Sequence, residues 1–259
     1  MLDVNDINIT RFLNLANKAA LESGAALVKN KFAWSFSIDE PKRDKKLLAD
    51  TESEKILLHQ LLNNSGYPVL TEESGWHGVN TRPKQRIEPN VFWIIDPLDG
   101  TVNYSMNIPL CCVSIALVCN KKPVLGVVYD FDRDELFSGG YGQGATMNGK
   151  KIMVSKLKKK SESIIMTGFP KASDFSDHGL ARFGLEVASW QKVRMLGSAA
   201  LSMAYVAAGR ADAYKEENIM PWDIAGGWAL IELAGGNVQV TMDDFINPLT
   251  ISATNGCII

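Results

Sequence analysis

Histidine is scarce in this chain: three among 259 residues, at positions 59, 77 and 178. They are scattered and have no evident partner, which argues against a histidine nucleophile or a histidine general base. Cysteine is scarce too, with four residues at 111, 112, 119 and 257 and no CxxC pair. That spacing excludes the usual thiolate zinc sites. Cys111 and Cys112 lie in an apolar run, where they read as small hydrophobic filler. Long apolar runs are missing. The longest, residues 108–119, has 12 residues and includes Pro109 and Ser114, too short to span a bilayer. An excess of one charge sign is also missing. The 27 basic and 29 acidic side chains leave a net charge of −2, with no bulk attraction to DNA, RNA or an anionic membrane. Two short basic stretches, "PKRDKK" at 41–46 and "KLKKK" at 156–160, read as solvated loops. The N-terminus carries Asp3 and Asp6 and has no basic start followed by an apolar run, so no secretory leader is expected. These absences point to a reducing, cytoplasmic setting with neither a membrane nor a nucleic-acid partner.

What is present is the material of a packed globule. The chain is 46% hydrophobic and 22% charged, enough for a sizeable core. It reads as one domain over 1–259, with closely packed halves at about 1–155 and 160–259. Residues 8–29 place Phe12, Leu15, Ala16, Ala19, Ala20 and Leu27 at helical spacing. "FAWSFSI" alternates loosely and predicts a strand. "TESEKILLHQLL" opens with Thr51 and has Glu54 three later, the spacing of a capping box. A short strand, "PVL", runs into "TEES". Residues 75–90 are polar and read as a surface loop. Strands are expected at 91–95, 111–119, 123–129 and near 135–138.

"GGYGQGATMNGK" has the glycines of a nucleotide loop in the wrong setting, because no strand-to-helix turn follows. Its Asn148–Gly149 reads as a hairpin tip. In the second half, "SIIMTGF", "KVRML", "ADAYKE" and "NVQV" read as strands. Residues 174–190 read as a helix, as does "GSAALSMAYVAAG" with Ser198 at its start. "PWDIAGGWALIELAGG" is a helix opened by Pro221 and closed by Gly235–Gly236. Mixed helices and strands with short connections predict a layered α/β or α+β architecture.

The chemistry concentrates at "WIIDPLDGTVNY", residues 93–104. A buried strand runs into Asp96 and Asp99, with Pro97 and Gly100 shaping a turn. Two carboxylates held close repel, and one takes up a proton unless a cation intervenes. Ligand oxygens alone favour a hard ion, Mg²⁺ before Zn²⁺. Glu72, Glu73 and Asp223 stand in comparable places, although each alone fits a solvated acid or a helix-dipole partner. Glu72, Asp96, Asp99 and Asp223 sum to −4, which two Mg²⁺ would neutralise. "LGSAAL" puts Gly197, Ser198 and Ala199 at a helix start, whose free N–H groups suit an anion.

Three segments in this order, "TEES", "WIIDPLDGTVNY" and "PWDIAGGWALIELAGG", resemble the inositol monophosphatase family. That family lies within the lithium-sensitive, metal-dependent phosphatase superfamily, which also holds fructose-bisphosphatases and nucleotide 3′-phosphatases. The likeness spans nearly the whole chain. It implies a layered αβαβα sandwich, a homodimer, and a first Mg²⁺ on Glu72, Asp96 and the Leu98 carbonyl. It implies a second on Asp96, Asp99 and Asp223, and a weaker third helped by Glu72. Thr101 and Asp50 would orient and deprotonate the attacking water, with Glu72 beside them as a catalytic group. Gly100 and Thr101 would offer backbone donors to the phosphate. Gly197, Ser198, Ala199, Asp99 and Asp223 would face the substrate, and Glu216 would bind a substrate hydroxyl. Attack in line on phosphorus then needs no phospho-enzyme.

Two departures from the family pattern stand out. Acidic Asp39 and Glu40 sit where the family often has a mobile-loop lysine, with Lys42, Lys45 and Lys46 near by. The usual Thr-Asp reads Ala49-Asp50. Asn103-Tyr104 resembles the inositol branch. Fructose 1,6-bisphosphate, histidinol phosphate, a nucleotide 3′-phosphate or a catalytically silent scaffold are the competing readings.

Overall fold

The computed structural model describes residues 4–35, 47–79, 89–169 and 173–258. Helix α1, Ile9–Lys29, is capped where the Asn8 side chain accepts from the Arg11 N–H at 3.0 Å, and it buries Phe12, Ala16, Ala19, Ala20 and Leu27. After Asn30 the chain stays helical as α2, Lys31–Trp34, where alternation predicted a strand. The remainder of that predicted strand, and Lys42, Lys45 and Lys46, fall in residues 36–46, outside the described residues.

Helix α3, Leu48–Ser65, starts earlier than its Thr51/Glu54 pattern predicts. Its first turn is tied by Asp50, whose Oδ2 accepts from the Leu47 N–H at 2.9 Å. Thr51 is inside the helix, and Glu54 is committed elsewhere. Strand β1, Val69–Thr71, pairs with β2, Gly75–His77, in place of the loop read at 75–90. The rest of that loop, 80–88, is outside the described residues. The alternation of β2 is only three residues long, too short to stand out in sequence.

Next come β3 at Val91–Asp99, α4 at Thr101–Ser105, β4 at Cys112–Cys119 and β5 at Lys122–Asp130. They are followed by β6 at Glu135–Gly140, β7 at Gly144–Met147 and β8 at Lys150–Lys151. These strands and the β1–β2 hairpin form an eight-stranded sheet in the order β2-β1-β3-β4-β5-β6-β7-β8. The glycine-rich stretch is spent on β6, β7 and the hairpin at Asn148–Gly149, both at positive φ.

A second sheet of five strands has the order β10-β9-β11-β13-β12. Its members are β9 at Ile164–Thr167, β10 at Lys192–Arg194, β11 at Ala213–Ile219, β12 at Asn237–Thr241 and β13 at Leu249–Thr254. β12 is not the last strand: β13 follows and sits between β11 and β12. Helix α5, Asp177–Ala188, starts at a Ser176 cap, three residues inside the predicted span. Helix α6, Ala199–Ala207, is capped by Ser198, and α7, Pro221–Leu233, opens on proline.

The layers follow from which faces are apolar. α1 and α3 cover one face of the large sheet, over a core that includes Leu57, Leu61, Trp93, Ile95 and Ile115. α6 and α7, buried almost all round, fill the space between the two sheets. α5 lies outside the small sheet, with Arg182 on Glu217 and Glu186 on Lys215 of β11. The result is the αβαβα sandwich expected from the resemblance. Close layer contact has a local cause. A Cβ at Gly126 of β5 would lie 2.3 Å from the Gly226 carbonyl oxygen of α7, so only glycine lets that helix lie directly on the sheet.

Candidate active site

Asp96 and Asp99 are three apart, and strict strand alternation would point them to opposite faces. The structure resolves this with a bulge rather than the turn expected between them. Asp96 pairs with Ser114 and Asp99 with Cys112, so β3 advances three residues while β4 advances two. The extra residue restores both carboxylates to one face, the one that looks toward α6 and α7. Pro97, which cannot donate to a ladder, sits in the bulge. The chain turns only afterwards, at Gly100, with φ +94°. A Cβ there would meet the Leu110 carbonyl oxygen at 2.8 Å, so the position demands glycine twice over.

Neighbouring elements bring the other acids. β1 runs parallel to β3 with Thr71 level with Ile95, so Glu72 leaves its strand beside Asp96. Asp223 stands in the first turn of α7, where its Oδ2 accepts from the Met220 N–H at 3.3 Å. Ligand oxygens of Glu72, Asp96 and Asp223 all lie within 4.8 Å of one another. Asp99 is adjacent but outside that trio. Its Oδ2 accepts from the Ser198 hydroxyl and the Ala200 N–H, both at 2.7 Å.

At the start of α6 the Asp99 carboxylate takes the Ser198 hydroxyl and the Ala200 N–H, and Ser198 is buried. Gly197 is exposed and Ala199 half-buried, so the loop lines the site with backbone. Asn103 fixes that loop, with Nδ2 donating to the Leu196 and Leu110 carbonyls at 2.7 Å each.

Asp50 and Thr101, 51 residues apart in sequence, meet: the Thr101 hydroxyl lies 2.8 Å from Asp50 Oδ1 and 3.1 Å from the Leu98 carbonyl oxygen. Asp50 Oδ2 holds the Leu47 amide, so both of its oxygens are engaged within the protein. Glu216, on β11, accepts from the buried Tyr214 hydroxyl at 2.5 Å. It borders a cavity of about 240 Å³ between β9, β11 and α5, lined also by Thr167, Phe169 and Phe183. A groove of about 380 Å³ beside Glu72 is lined by Trp76 and Trp222.

The electrostatics are those of carboxylates buried close to one another. Burial pushes Asp50 up to about 7 against the opposing bonds from Thr101 and Leu47. Removal from water, then the charges of Glu73, Asp50 and Asp99, pushes Glu72 up to about 8, although the residue's flank faces solvent. Burial raises Asp99 to about 6 against the Ser198 and Ala200 bonds. Burial and then the charge of Glu72 drive Asp96 and Asp223 well above the carboxylate range. Burial raises Glu216 to about 7.

The residues fit a hard divalent ion. The donors are all oxygens. Asp96 Oδ1 takes the Leu98 N–H at 3.0 Å, and the Asp96 carboxyl also meets the Glu72 carboxyl. The Leu98 carbonyl oxygen, 3.1 Å from the Thr101 hydroxyl, has two lone pairs.

Sequence reasoning named Asp50 but missed the roles of its neighbours Ser53 and Glu54. Asp50, Ser53 and Glu54 share one face of α3 and are all buried. Ser53 donates to the Pro97 carbonyl at 2.6 Å and is itself 2.6 Å from Ser23 of α1. Glu54 Oε1 accepts from the Thr71 hydroxyl at 2.7 Å, the Ser74 hydroxyl at 2.8 Å and the Ser74 N–H at 3.2 Å. The available signal was three polar residues at i, i+3 and i+4 amid leucines, which the capping pattern obscured.

Known proteins share this arrangement of elements. The sequence profile described as the inositol monophosphatase family matches residues 8–258. A Xylella fastidiosa protein named Nus factor SuhB is 38% identical over 230 residues, covering 87% of this chain and 80% of its own. An inositol-1-monophosphatase of Synechocystis sp. is 35% identical over 260 residues, 96% of this chain and 86% of its own. The structure of inositol monophosphatase from Anabaena (Nostoc) sp. superposes with a TM-score of 0.83 at 38% identity, covering 97% of this chain and 93% of that one. The chain therefore belongs to the inositol monophosphatase family, whose members are metal-dependent phosphatases that hydrolyse phosphate monoesters.

Proposed function

We propose that the chain hydrolyses the phosphate ester of a small polyol or sugar, inositol 1-phosphate type first, with two or three Mg²⁺. The observation that carries this is the meeting of Glu72, Asp96 and Asp223 within 4.8 Å beside the 2.8 Å contact of Thr101 with Asp50. Glu72, Asp96 and the Leu98 carbonyl would hold one ion, and Asp96, Asp99 and Asp223 another. When bound, Mg²⁺ supplies positive charge for the phosphoryl oxygens and a water acidic enough to attack near neutral pH.

The chain's own groups do the rest. Asp50, both oxygens engaged and its affinity for a proton raised, is suited to take one from water through the Thr101 hydroxyl. Gly100 and Thr101 offer backbone N–H groups to the phosphate. Glu216 presents a carboxylate that accepts from a substrate hydroxyl, which favours a polyol over a plain alkyl ester. Four cysteines without disulfides fit a cytoplasmic setting, and we take the working unit to be one domain in a homodimer.

Relatives carry two names, Nus factor SuhB and inositol-1-monophosphatase, so likeness alone selects no substrate. Phosphate release with Mg²⁺ should be ranked over inositol phosphates, sugar bisphosphates, histidinol phosphate and 3′-phosphoadenosine phosphate. Turnover of a nucleotide above every polyol ester would overturn the substrate class. No release above an Asp96→Asn control would overturn the enzyme.

A further inference from the structure

Glu72, read as a metal ligand, sits on a turn that its own hairpin holds through the β1–β2 pairing and a 2.5 Å contact of the Ser74 hydroxyl with His77 Nε2. β1 and β2 are each three residues long, and the connecting turn spans residues 72–74. A carboxylate on so short a hairpin needs its backbone fixed from outside if it is to meet Asp96 and Asp223. The pairing of β1 with β3 fixes the strand up to Thr71, and the turn beyond it is held from outside by Glu54. Its side chain, on a residue only 6% exposed, takes hydrogen bonds from Thr71 and from Ser74. Thr71 immediately precedes Glu72, and Ser74 follows two later, so one oxygen grips the turn on both sides of the ligand.

We infer that Glu54 is a positioning residue: it sets the place of Glu72 and thereby the affinity of the ion that Glu72 holds. This rests on the reading of Glu72 as a metal ligand. Three bonds to one charged oxygen are individually stronger than neutral ones. They also come from α3, the helix that carries Asp50 to Thr101 and Ser53 to the Pro97 carbonyl. α3 thus spaces three parts of the site from one rigid face: Asp50 sets the water-activating pair, Ser53 the bulge between Asp96 and Asp99, and Glu54 the Glu72 turn. Because each reaches a different loop, loss of Glu54 should loosen the metal ligand while leaving the Asp50–Thr101 pair in place.

The test is Mg²⁺ binding by titration calorimetry, with the fluorescence of Trp76 and Trp222 beside Glu72 as a second reporter, alongside kinetics. Glu54→Ala should weaken Mg²⁺ binding by about 10–100-fold, the usual cost of losing a group that orients a metal ligand. The Mg²⁺ concentration for half-maximal rate should rise in step. At saturating Mg²⁺, kcat should stay within about threefold of the parent and its pH profile should not move, because Asp50 is untouched. Glu54→Gln, which keeps an accepting oxygen, should recover most of the affinity.

A general collapse of α3 would instead lower kcat at every Mg²⁺ concentration and shift its pH profile, and that result overturns the inference. So does unchanged Mg²⁺ affinity in Glu54→Ala. If that variant does not fold, Thr71→Val and Ser74→Ala each remove one arm of the grip. A loss of affinity in either supports the inference, and wild-type affinity in both overturns it. A Glu72→Gln protein that binds Mg²⁺ like the parent defeats the reading of Glu72 itself, and the role of Glu54 falls with it.

Discussion

At the scale of single residues, function rests on carboxylates whose environments differ. Asp50 has both oxygens engaged by Thr101 and Leu47, whereas Asp96 and Asp99 stand buried among other carboxylates. The first suits proton transfer and the others suit ion binding. Replacing Asp50 with Asn or Thr101 with Val should each lower kcat by about 10²–10⁴-fold, the range for general acid–base groups. The two act as a unit, so the double variant should be little worse than either single one. Multiplicative losses in a double-mutant cycle would show that they act separately.

The same carboxylates set the pH dependence of the metal-free protein. Asp50, Asp99 and Glu72 rise from ordinary values of 3.8–4.5 to about 7, 6 and 8. Folded values above the unfolded ones mean that these groups favour the folded state most at acid pH. That advantage is lost as pH climbs through 6 to 8. In EDTA the melting temperature should therefore fall between pH 5.5 and 8, and Mg²⁺ should flatten the slope. A melting temperature that rises over this interval without metal would contradict the picture.

At the scale of elements, two strand irregularities and one helix contact build the site. The bulge in β3 turns an odd spacing into a shared face, and the parallel start of β1 beside β3 delivers Glu72 to Asp96. α7 lies against β5 closely enough that Gly126 and Gly226 admit no side chain. Gly126→Ala should destabilise the fold by about 1–3 kcal/mol, the usual cost of overpacking, and should shift α7 with Asp223 on it. The expected signature is a lower melting temperature together with weaker Mg²⁺ binding. Normal Mg²⁺ binding would show that α7 is placed by other contacts.

At the scale of the whole molecule, the site belongs to both halves of the chain. Glu72, Asp96 and Asp99 come from the large sheet, and Asp223 from a helix packed between the sheets. Mg²⁺ held there would tie the halves together, so it should raise the melting temperature. Binding only to the folded form stabilises it by about 2.7 kcal/mol at a hundred times Kd. If Mg²⁺ left the melting temperature of the parent unchanged but EDTA-treated protein stayed active, metal binding at this site would be refuted. Glu216→Gln should raise KM for a polyol phosphate and leave hydrolysis of a simple aryl phosphate near the parent rate, which separates recognition from chemistry.

Legibility in sequence tracked how local the physics was. Helix α1 was readable because its apolar period depends on its own residues. α7 was readable because proline opens it and glycines follow it. The acids of "WIIDPLDGT" were readable because two carboxylates in one apolar strand end have few other uses. β2 was hidden because three residues make no pattern. β13 was hidden because its edge-to-centre place depends on β11 and β12. Glu54 was misread because its spacing from Thr51 mimics a cap, while its partners are 17 and 20 residues away.

By itself the sequence determined that this is an α/β phosphatase of the metal-dependent kind. The spacing of Asp96 and Asp99 marks a carboxylate pair, and the likeness of three segments to the family implies the other acids. Only the tertiary structure decided which donors each carboxylate meets, that Asp99 takes Ser198 and Ala200 at the start of α6, and that Asp50, Ser53 and Glu54 of α3 reach three different loops. Those facts depend on hydrogen bonds between residues far apart in the chain, and no local pattern encodes the distance at which such groups meet.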